Sequence, residues 1–570
     1  MMLAIFPKYQ DLFPGREVPK LEEVISKTSS KTLLKVISFL NAKVHLQPDN
    51  LNAQEKIFLE WIGIFPEALR NAIGRNYFAF KNYILQDGHT VVLFSSNALL
   101  RLIDYIIRHF NDLPEKPSKD VEDEMTLLEA WLVINAAFDL EIDEGIKPEV
   151  GNLLSVMLVN QAAQYEFMAR KDFVYQTLLA EAFFTFLSGS PTLSTYLQEF
   201  LNKKRVADYK EYLRHLIGVY ADGYRVESFG FRVPDDEADA TAFFESLAYD
   251  LTKEPFTDLP KQPDPDFKLL REYPLVKDEE RGYYPMHHNF FIDKIYQGLL
   301  FDFYRNTAIQ NHYNFGDFLQ YLGQEFAESH LFYQYIVGCF TPKKYLTAVE
   351  GNKYNGIEYS DYYVREGNNM FLFEFKNNMV NAQVKHSKDF ARIKAEVVKK
   401  LVRSDRNQAK GASQLLHVIH KVAAGGFVFD DLNAKRIGRL QIYPILVYTD
   451  DFFSLDGVQN IVSEEFNQLL INRPVKRHQV NDITLIHLQD IINIQFSVQA
   501  GRATFKAIIQ EYFAKRKAIK KKRPRTSQEL LDKQLGGSFH SLVQHLVRPY
   551  ADPELLLNRM SSALGLEPTS

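Results

Sequence analysis

The chain has 570 residues, 46% hydrophobic and 24% charged, the balance of an ordinary globular protein. That excludes a mainly disordered, collagen-like or coiled-coil chain, and the length suggests roughly two to four domains. Lys and Arg number 67 against 72 Asp and Glu, a formal charge of −5, so any affinity for nucleic acid has to come from local patches.

The N-terminal MMLAIFPKYQ is too short in apolar residues for a signal-peptide core, and no stretch reaches the roughly 18–20 apolar residues of a membrane helix. The one cysteine, Cys339, excludes a disulfide framework and a multi-cysteine zinc site, and points to a reducing compartment. The expectation is a cytoplasmic protein with no membrane partner. Apolar residues at helical spacing then predict helices over Leu21–Leu40 and in segments starting at Asn52, Ser95, Thr126, Val150, Asp172 and Thr192. Several open on Ser, Thr, Asp or Asn, as N-caps do. Thr90–Phe94 is the main strand-like exception. Residues 1–255 are read as an α-helical domain. Pro255, Pro260, Pro263, Pro265 and Pro274 then favour extended chain, and 256–285 is read as a linker.

From 286 to 513 the pattern becomes mixed α/β. A helical segment spans 315–337. Strands follow at Ile357–Glu366 and Met370–Lys376, helices at 383–406 and 411–422, a strand at 439–448, a helix at 457–470 and a strand at 483–488. Pro444 should mark an edge or a bulge. The tail, 514–570, opens on a basic run, Lys515–Arg525, that reads as a disordered linker, a nuclear-localisation-like accident or a nucleic-acid arm, and it ends in helices.

Chemistry concentrates in GIEYSDYYVREGNNMFLFEFK. With period-two alternation, Met370, Leu372, Glu374 and Lys376 share one strand face, and Phe371, Phe373 and Phe375 share the other, which should be buried. A two-residue turn at Gly367-Asn368 pairs Glu366 with Asn369 and carries Asp361 opposite Glu374. A three-residue turn sets Asp361 against Phe375 instead. Opposed carboxylates, with Cβ atoms about 4.5–5.5 Å apart, repel unless a cation or proton lies between them. A hard divalent metal suits such oxygens.

This layout resembles the PD-(D/E)XK nuclease superfamily over residues 300–500. Asp361 precedes Glu374-Phe375-Lys376 by twelve intervening residues, although the first element reads Ser-Asp rather than Pro-Asp. Two other acidic-x-Lys triplets, at Asp208 and Asp266, lack the strand setting. The resemblance implies a restriction-endonuclease-like α/β domain with a mixed central sheet, beside the all-α N-terminal domain. It implies Mg²⁺, with Mn²⁺ as a substitute, held by Asp361, Glu374 and the Phe375 carbonyl. Lys376 would position the attacking water. Glu328, with Glu325 as its alternative, matches the helical acidic residue of the family, and Gln414 matches the helical Gln. The implied function is Mg²⁺-dependent hydrolysis of phosphodiester bonds, in DNA first.

Residues 385–410 net +6, and Lys388, Arg392, Lys399, Arg403, Arg406 and Lys410 fall at three- and four-residue multiples. Beside Phe390, Ile393, Val397 and Leu401 they predict an amphipathic helix whose basic stripe contacts phosphates or is simply solvated. His287-His288 and His417/His420 lack neighbouring ligand-type residues, so no zinc site is expected. Two other readings stay open: a nuclease fold that only binds nucleic acid, and a helical protein-interaction scaffold. A homo-oligomer or protein partner would engage the helical half. A nuclease joined to a large helical domain is also the layout of many bacterial anti-phage proteins, an analogy only.

Overall fold

The computed structural model describes the chain apart from residues 1–3, 47–50, 117–119, 146–152, 169–170, 227–229, 252–258, 262, 278–281, 341–345, 351–352, 355–356, 359, 405–409, 472–478, 526, 548–552 and 567–570. The chain divides into two compact units. One comprises Met1–Gly145, Phe167–His312 and Ala563–Leu566; the other comprises Ile146–Glu166, Tyr313–Ser562 and Glu567–Ser570. Among the described residues no helix is long and apolar enough to cross a membrane.

The first unit is α-rich. Its helices start where capping side chains meet free N–H groups: Ser95 accepts from Ala98 and Ser190 from Leu193, while Asp172 accepts from Val174 and Tyr175. The centre is aromatic. Trp131 is fully buried against Phe94, Trp61 and Phe58, with ring centroids 5.1, 5.9 and 6.0 Å away. The expected all-α character needs correction, because a four-stranded sheet runs in the order Phe231–Arg232, Gly282–Pro285, Leu275–Lys277, Ala248–Asp250. Two of those strands come from the Pro-rich 256–285. Strand pairing and burial of Leu275 and Val276 hold that stretch in the unit rather than leaving it a bare linker. Of Thr90–Phe94, Thr90–Val91 forms a strand, paired with Ala4–Ile5.

The second unit is α/β. Its five-stranded sheet consists of β1 (Leu346–Glu350), β2 (Tyr362–Glu366), β3 (Asn369–Lys376), β4 (Gln441–Tyr448) and β5 (Thr484–His487), adjacent in that order. β1, β2 and β3 are antiparallel neighbours, and β4 and β5 join in parallel. Helices beside the sheet include α1 (Phe390–Leu401), α2 (Ala412–Ala423), α3 (Val458–Ile471) and α4 (Phe505–Lys521).

Both faces of β3 are covered. Met370 and Leu372 join the apolar side of α1, α2 and α3, while Phe371 and Phe373 meet Phe340 and Phe505. Burial of each such side chain is worth about 1.5–3 kcal/mol. Pro444 does not mark an edge, but the expected bulge is there: Ile442 bridges Val480 and Ile445 pairs with Thr484, so Tyr443 and Pro444 stand opposite three residues of the chain leading into β5. β4 is interior, and Asn481 N–H bonds the Ile442 carbonyl, so by alternation the Pro444 nitrogen also turns toward β5. It does so just ahead of Thr484, where that strand begins, and a missing N–H costs little there. The boundary drawn at 513 falls inside α4, whose first turn packs on the sheet.

Candidate metal centre

The hairpin register fixes the site. β2 pairs with β3 from Glu366↔Asn369 to Tyr362↔Phe373, so Gly367-Asn368 is a two-residue turn, with Gly367 at φ +64°. Beyond Tyr362 the ladder changes. Asp361 N–H donates to the Phe373 carbonyl at 3.1 Å, so Asp361 and Tyr362 both face Phe373 in a β-bulge. The bulge turns the Asp361 carboxylate onto the strand end, where Oδ2 accepts the Phe375 N–H at 2.6 Å. Odd-numbered residues of β3 present their peptide groups to β2, so the Phe375 carbonyl also points to the Asp361 side, past the last ladder pair. The stretch expected as one strand, Ile357–Glu366, is therefore two: Ile357–Glu358 pairs with Lys353–Tyr354, apart from β2.

Around this end stand four charged groups. Asp361 is 4% exposed and Glu374 1%. Lys376 Nζ donates to Glu374 Oε1 at 2.5 Å. Burial pushes the Asp361 carboxyl well above the usual carboxylate range; the charges of Glu374 and Glu328 add to this, and Lys376 opposes it. Burial alone would lower the Lys376 ammonium, but Glu374, Asp361 and Glu328 outweigh it and hold Lys376 above the usual lysine range. Three carboxylates thus act on one lysine, an excess of negative charge at a mostly buried point.

Glu328 arrives on a π-helical segment, Leu322–Phe332, within the stretch expected as ordinary helix. The five-residue spacing is visible in its bonds. Tyr333 N–H reaches the Glu328 carbonyl, and Ser329 Oγ and His330 Nδ1 meet the Gln324 and Glu325 carbonyls. Phe332 stacks on Phe375 at 5.0 Å and 13°, which pins the segment to the strand end. Tyr333 Oη donates to Glu328 Oε1 at 3.4 Å. Glu325, the alternative, is exposed.

Asp361 and Glu374 supply hard oxygens and the Phe375 carbonyl faces the same side, a donor set that suits Mg²⁺ or Mn²⁺. Among the described residues no three His, Cys, Asp or Glu groups come together as a metal cluster, and Glu328 acts on Asp361 through its charge. Gln414 lies half-buried near the start of α2, on the sheet face shared by Glu374 and Lys376. Among the described residues no hydrogen bond joins its side chain to them.

The basic stripe is not one helix. A short helix, Ala382–Lys385, ends first; Lys388 follows at φ +54°, and α1 starts afresh behind the N-cap Asp389. Phe390, Ile393, Val397 and Leu401 are its buried face, as the spacing predicts. Arg392 and Lys399 are exposed on α1, whereas Arg403 pairs with Glu465 at 3.3 Å. Lys410 lies before α2, and Arg406 lies outside the described residues. Lys385 is held by Glu166 at 3.4 Å and by Asp450 at 3.9 Å. Asp450, at the end of β4, also caps Val380 and Phe452 N–H groups. Sequence reasoning missed it, although an Asp directly after the strand IYPILVYT was the available signal.

In the first unit, a cavity of about 180 Å³ includes Lys203, Lys204, Asp302 and Arg305 in its lining. Its wall is built from the ends of four helices, Pro191–Lys203, Ala238–Glu245, Lys268–Glu272 and Gln297–Arg305. The charges of its cations are matched locally, since Lys203 pairs with Glu199 at 3.3 Å, Lys204 with Asp302 at 4.0 Å and Arg305 with Glu272 at 3.3 Å, and the partial negative charge of the helix C-termini adds to this. Comparison with protein-family models, with curated proteins and with solved structures finds no match for this chain.

Proposed function

We propose that the second unit is a metal-dependent nuclease that hydrolyses phosphodiester bonds, in DNA first. One observation carries the reading: at the end of a bulged strand pair the buried Asp361 and Glu374 stand beside Lys376, which Glu374 holds by a hydrogen bond, with the charge of Glu328 acting on both Asp361 and Lys376. Asp361, Glu374 and the Phe375 carbonyl would hold Mg²⁺, which when bound acidifies a water and stabilises charge developing on a phosphate.

The chain's own groups have separate roles. The Phe375 N–H fixes the Asp361 carboxylate in place. Lys376, kept protonated by its neighbours, orients the attacking water and offers its charge to the phosphate. Glu328, which accepts from Tyr333, would hold a water at the site. Gln414 supports the site from α2. Plasmid, linear DNA and RNA incubated with Mg²⁺, Mn²⁺ or EDTA test the reading. Asp361→Asn, Glu374→Gln and Lys376→Ala should each lower metal-dependent cleavage by at least about a hundredfold while DNA binding persists. Wild-type cleavage in all three variants would put the activity elsewhere.

The Lys376–Glu374 contact favours a second reading, because the ammonium already neutralises one carboxylate. A site that only binds nucleic acid would retain DNA and give no cleavage with either metal.

A further inference from the structure

We infer that the exposed basic end of α4 and the chain just after it, Lys517–Arg525, form a contact surface for the phosphate backbone of duplex DNA. The inference shares with the proposed function only the class of partner. α4 is amphipathic in an unequal way. Phe505, Ile508, Ile509 and Tyr512 are buried against the unit. From Lys517 onward Lys517, Lys520, Lys521, Lys522, Arg523 and Arg525 are all exposed.

Some of the run is spoken for. Arg516 and Lys520 approach Asp482 at 3.5 and 3.9 Å, and Lys522 pairs with Glu529 at 2.9 Å. Among the described residues no carboxylate pairs with the charged side-chain ends of Lys517, Lys521, Arg523 or Arg525, although Glu529 Oε2 accepts the Arg525 backbone N–H at 2.7 Å. A helix dipole accounts for cations in the last turn but fades beyond it. Lys522 leaves the helix in extended conformation and Pro524 prevents its resumption, so Arg523 and Arg525 lie past the dipole's reach. Residues 511–529 net +6 within a chain of −5, so the remaining residues carry −11. Positive charge is concentrated here against that background, as in a polyanion contact.

Duplex DNA is favoured over an anionic membrane because membrane-surface helices insert an apolar face. The apolar face of α4 is already used on the sheet, where Phe505 meets Phe371 and Phe373 at 5.4 and 5.6 Å. The surface is also remote from the carboxylates. Asp482, beside Lys520, lies between the pairs Ile442↔Val480 and Ile445↔Thr484, which sets it level with Tyr443–Pro444 and hence with Phe371–Leu372. Lys376 is four to five residues further along β3, about 13–16 Å at roughly 3.3 Å per residue. That is about four to five steps of DNA at ~3.4 Å each, so contact here and chemistry at Lys376 are separable.

The test uses the full chain and a fluorescent duplex titrated at several salt concentrations. Changing Lys517, Lys521, Arg523 and Arg525 together to Gln should reduce the slope of log affinity against log salt by about 3–4, at roughly 0.9 per phosphate contact. Thermal stability should not move, because the four side chains are exposed. An unchanged slope overturns the inference, and so does binding to phosphatidylserine vesicles that the variant loses while its DNA slope stays wild-type. Should the wild type bind DNA with the expected slope yet never cleave it, the inference stands and the nuclease reading falls.

Discussion

Asp361→Asn should make the protein more stable and less responsive to metal. The carboxylate is 4% exposed and shares its surroundings with Glu374 and Glu328. Because its folded pKa lies above the unfolded value, the ionised form is disfavoured by folding. That penalty is fully present above the folded pKa and fades as pH falls through it. Asn is isosteric and its carbonyl oxygen can still accept the Phe375 N–H. Neutralising one buried ion of an imperfectly compensated set returns about 1–3 kcal/mol. At roughly 2–4 °C per kcal/mol for a unit of this size, the transition rises by about 2–12 °C at neutral pH. Scanning calorimetry in EDTA and then in Mg²⁺ reads both effects. The wild type should gain from metal, by about 2.7 kcal/mol at a hundredfold excess over Kd, and the variant should gain much less. A variant that unfolds earlier than wild type in EDTA would show that the charge is satisfied by the fold itself. Equal metal gains would remove Asp361 from the ligand set.

His287 gives the first unit an acid-sensitive point. Burial, with His288, Arg271 and Lys171 nearby, pushes its imidazole down to about 3. The unfolded chain takes up that proton near pH 6.5 and the folded chain does not, so stability drops as pH falls from 6.5 toward 3. Between pH 7 and 4.5 this is about 2–3 kcal/mol; His287→Leu should flatten that part of a urea-midpoint titration. Asp430 accepts from Arg365 through both carboxylate oxygens and from Tyr363 at 2.5 Å, with its side chain 4% exposed. Asp430→Ala should cost about 3–5 kcal/mol by removing the carboxylate that Arg365 and the buried Tyr363 both donate to, measured by chemical denaturation. Gly411 sits at φ +54°, where an added Cβ would lie 2.1 Å from the Leu401 carbonyl oxygen. Gly411→Ala should cost at least about 1–3 kcal/mol in backbone strain alone and loosen the junction of α1 with α2, seen as faster hydrogen exchange at Leu401–Leu415.

The register of the hairpin was legible because Gly-Asn between alternating residues admits few turns, and the pairing then follows by counting. The bulge at Asp361 was not, since it depends on how the strand ends. Burial of both faces of β3 was half legible. The run MFLFEF is continuous in the manner of an interior strand, but alternation of Glu374 and Lys376 suggested one open side. The basic helix was misread because Lys385, Lys388 and Arg392 keep helical spacing across a break that the Asp389 cap creates. The unit boundary lies at His312–Tyr313, and the apolar helix Leu153–Met168 belongs mostly to the second unit. Its composition matches that of its neighbours, so periodicity cannot tell which sheet or bundle will receive it.

The π-helical segment makes the cluster sensitive to chain length in a way no substitution would reveal. Phe332 is anchored by its stack on Phe375, and Glu328 lies four residues before it. Each α-helical residue turns the chain by about 100°, and a π-helical turn takes about one residue more than an α-helical one. Removing one residue between them would therefore let the segment relax to α-helix at nearly the same rotation from Phe332 to Glu328, and the carboxylate would keep its place at the strand end. Adding one residue has no such outlet and would swing the carboxylate away by roughly 100°. Homologous chains that keep this spacing, or that are one residue shorter and plainly α-helical, would thus share the three carboxylates, while chains one residue longer would have had to recruit the third from another turn.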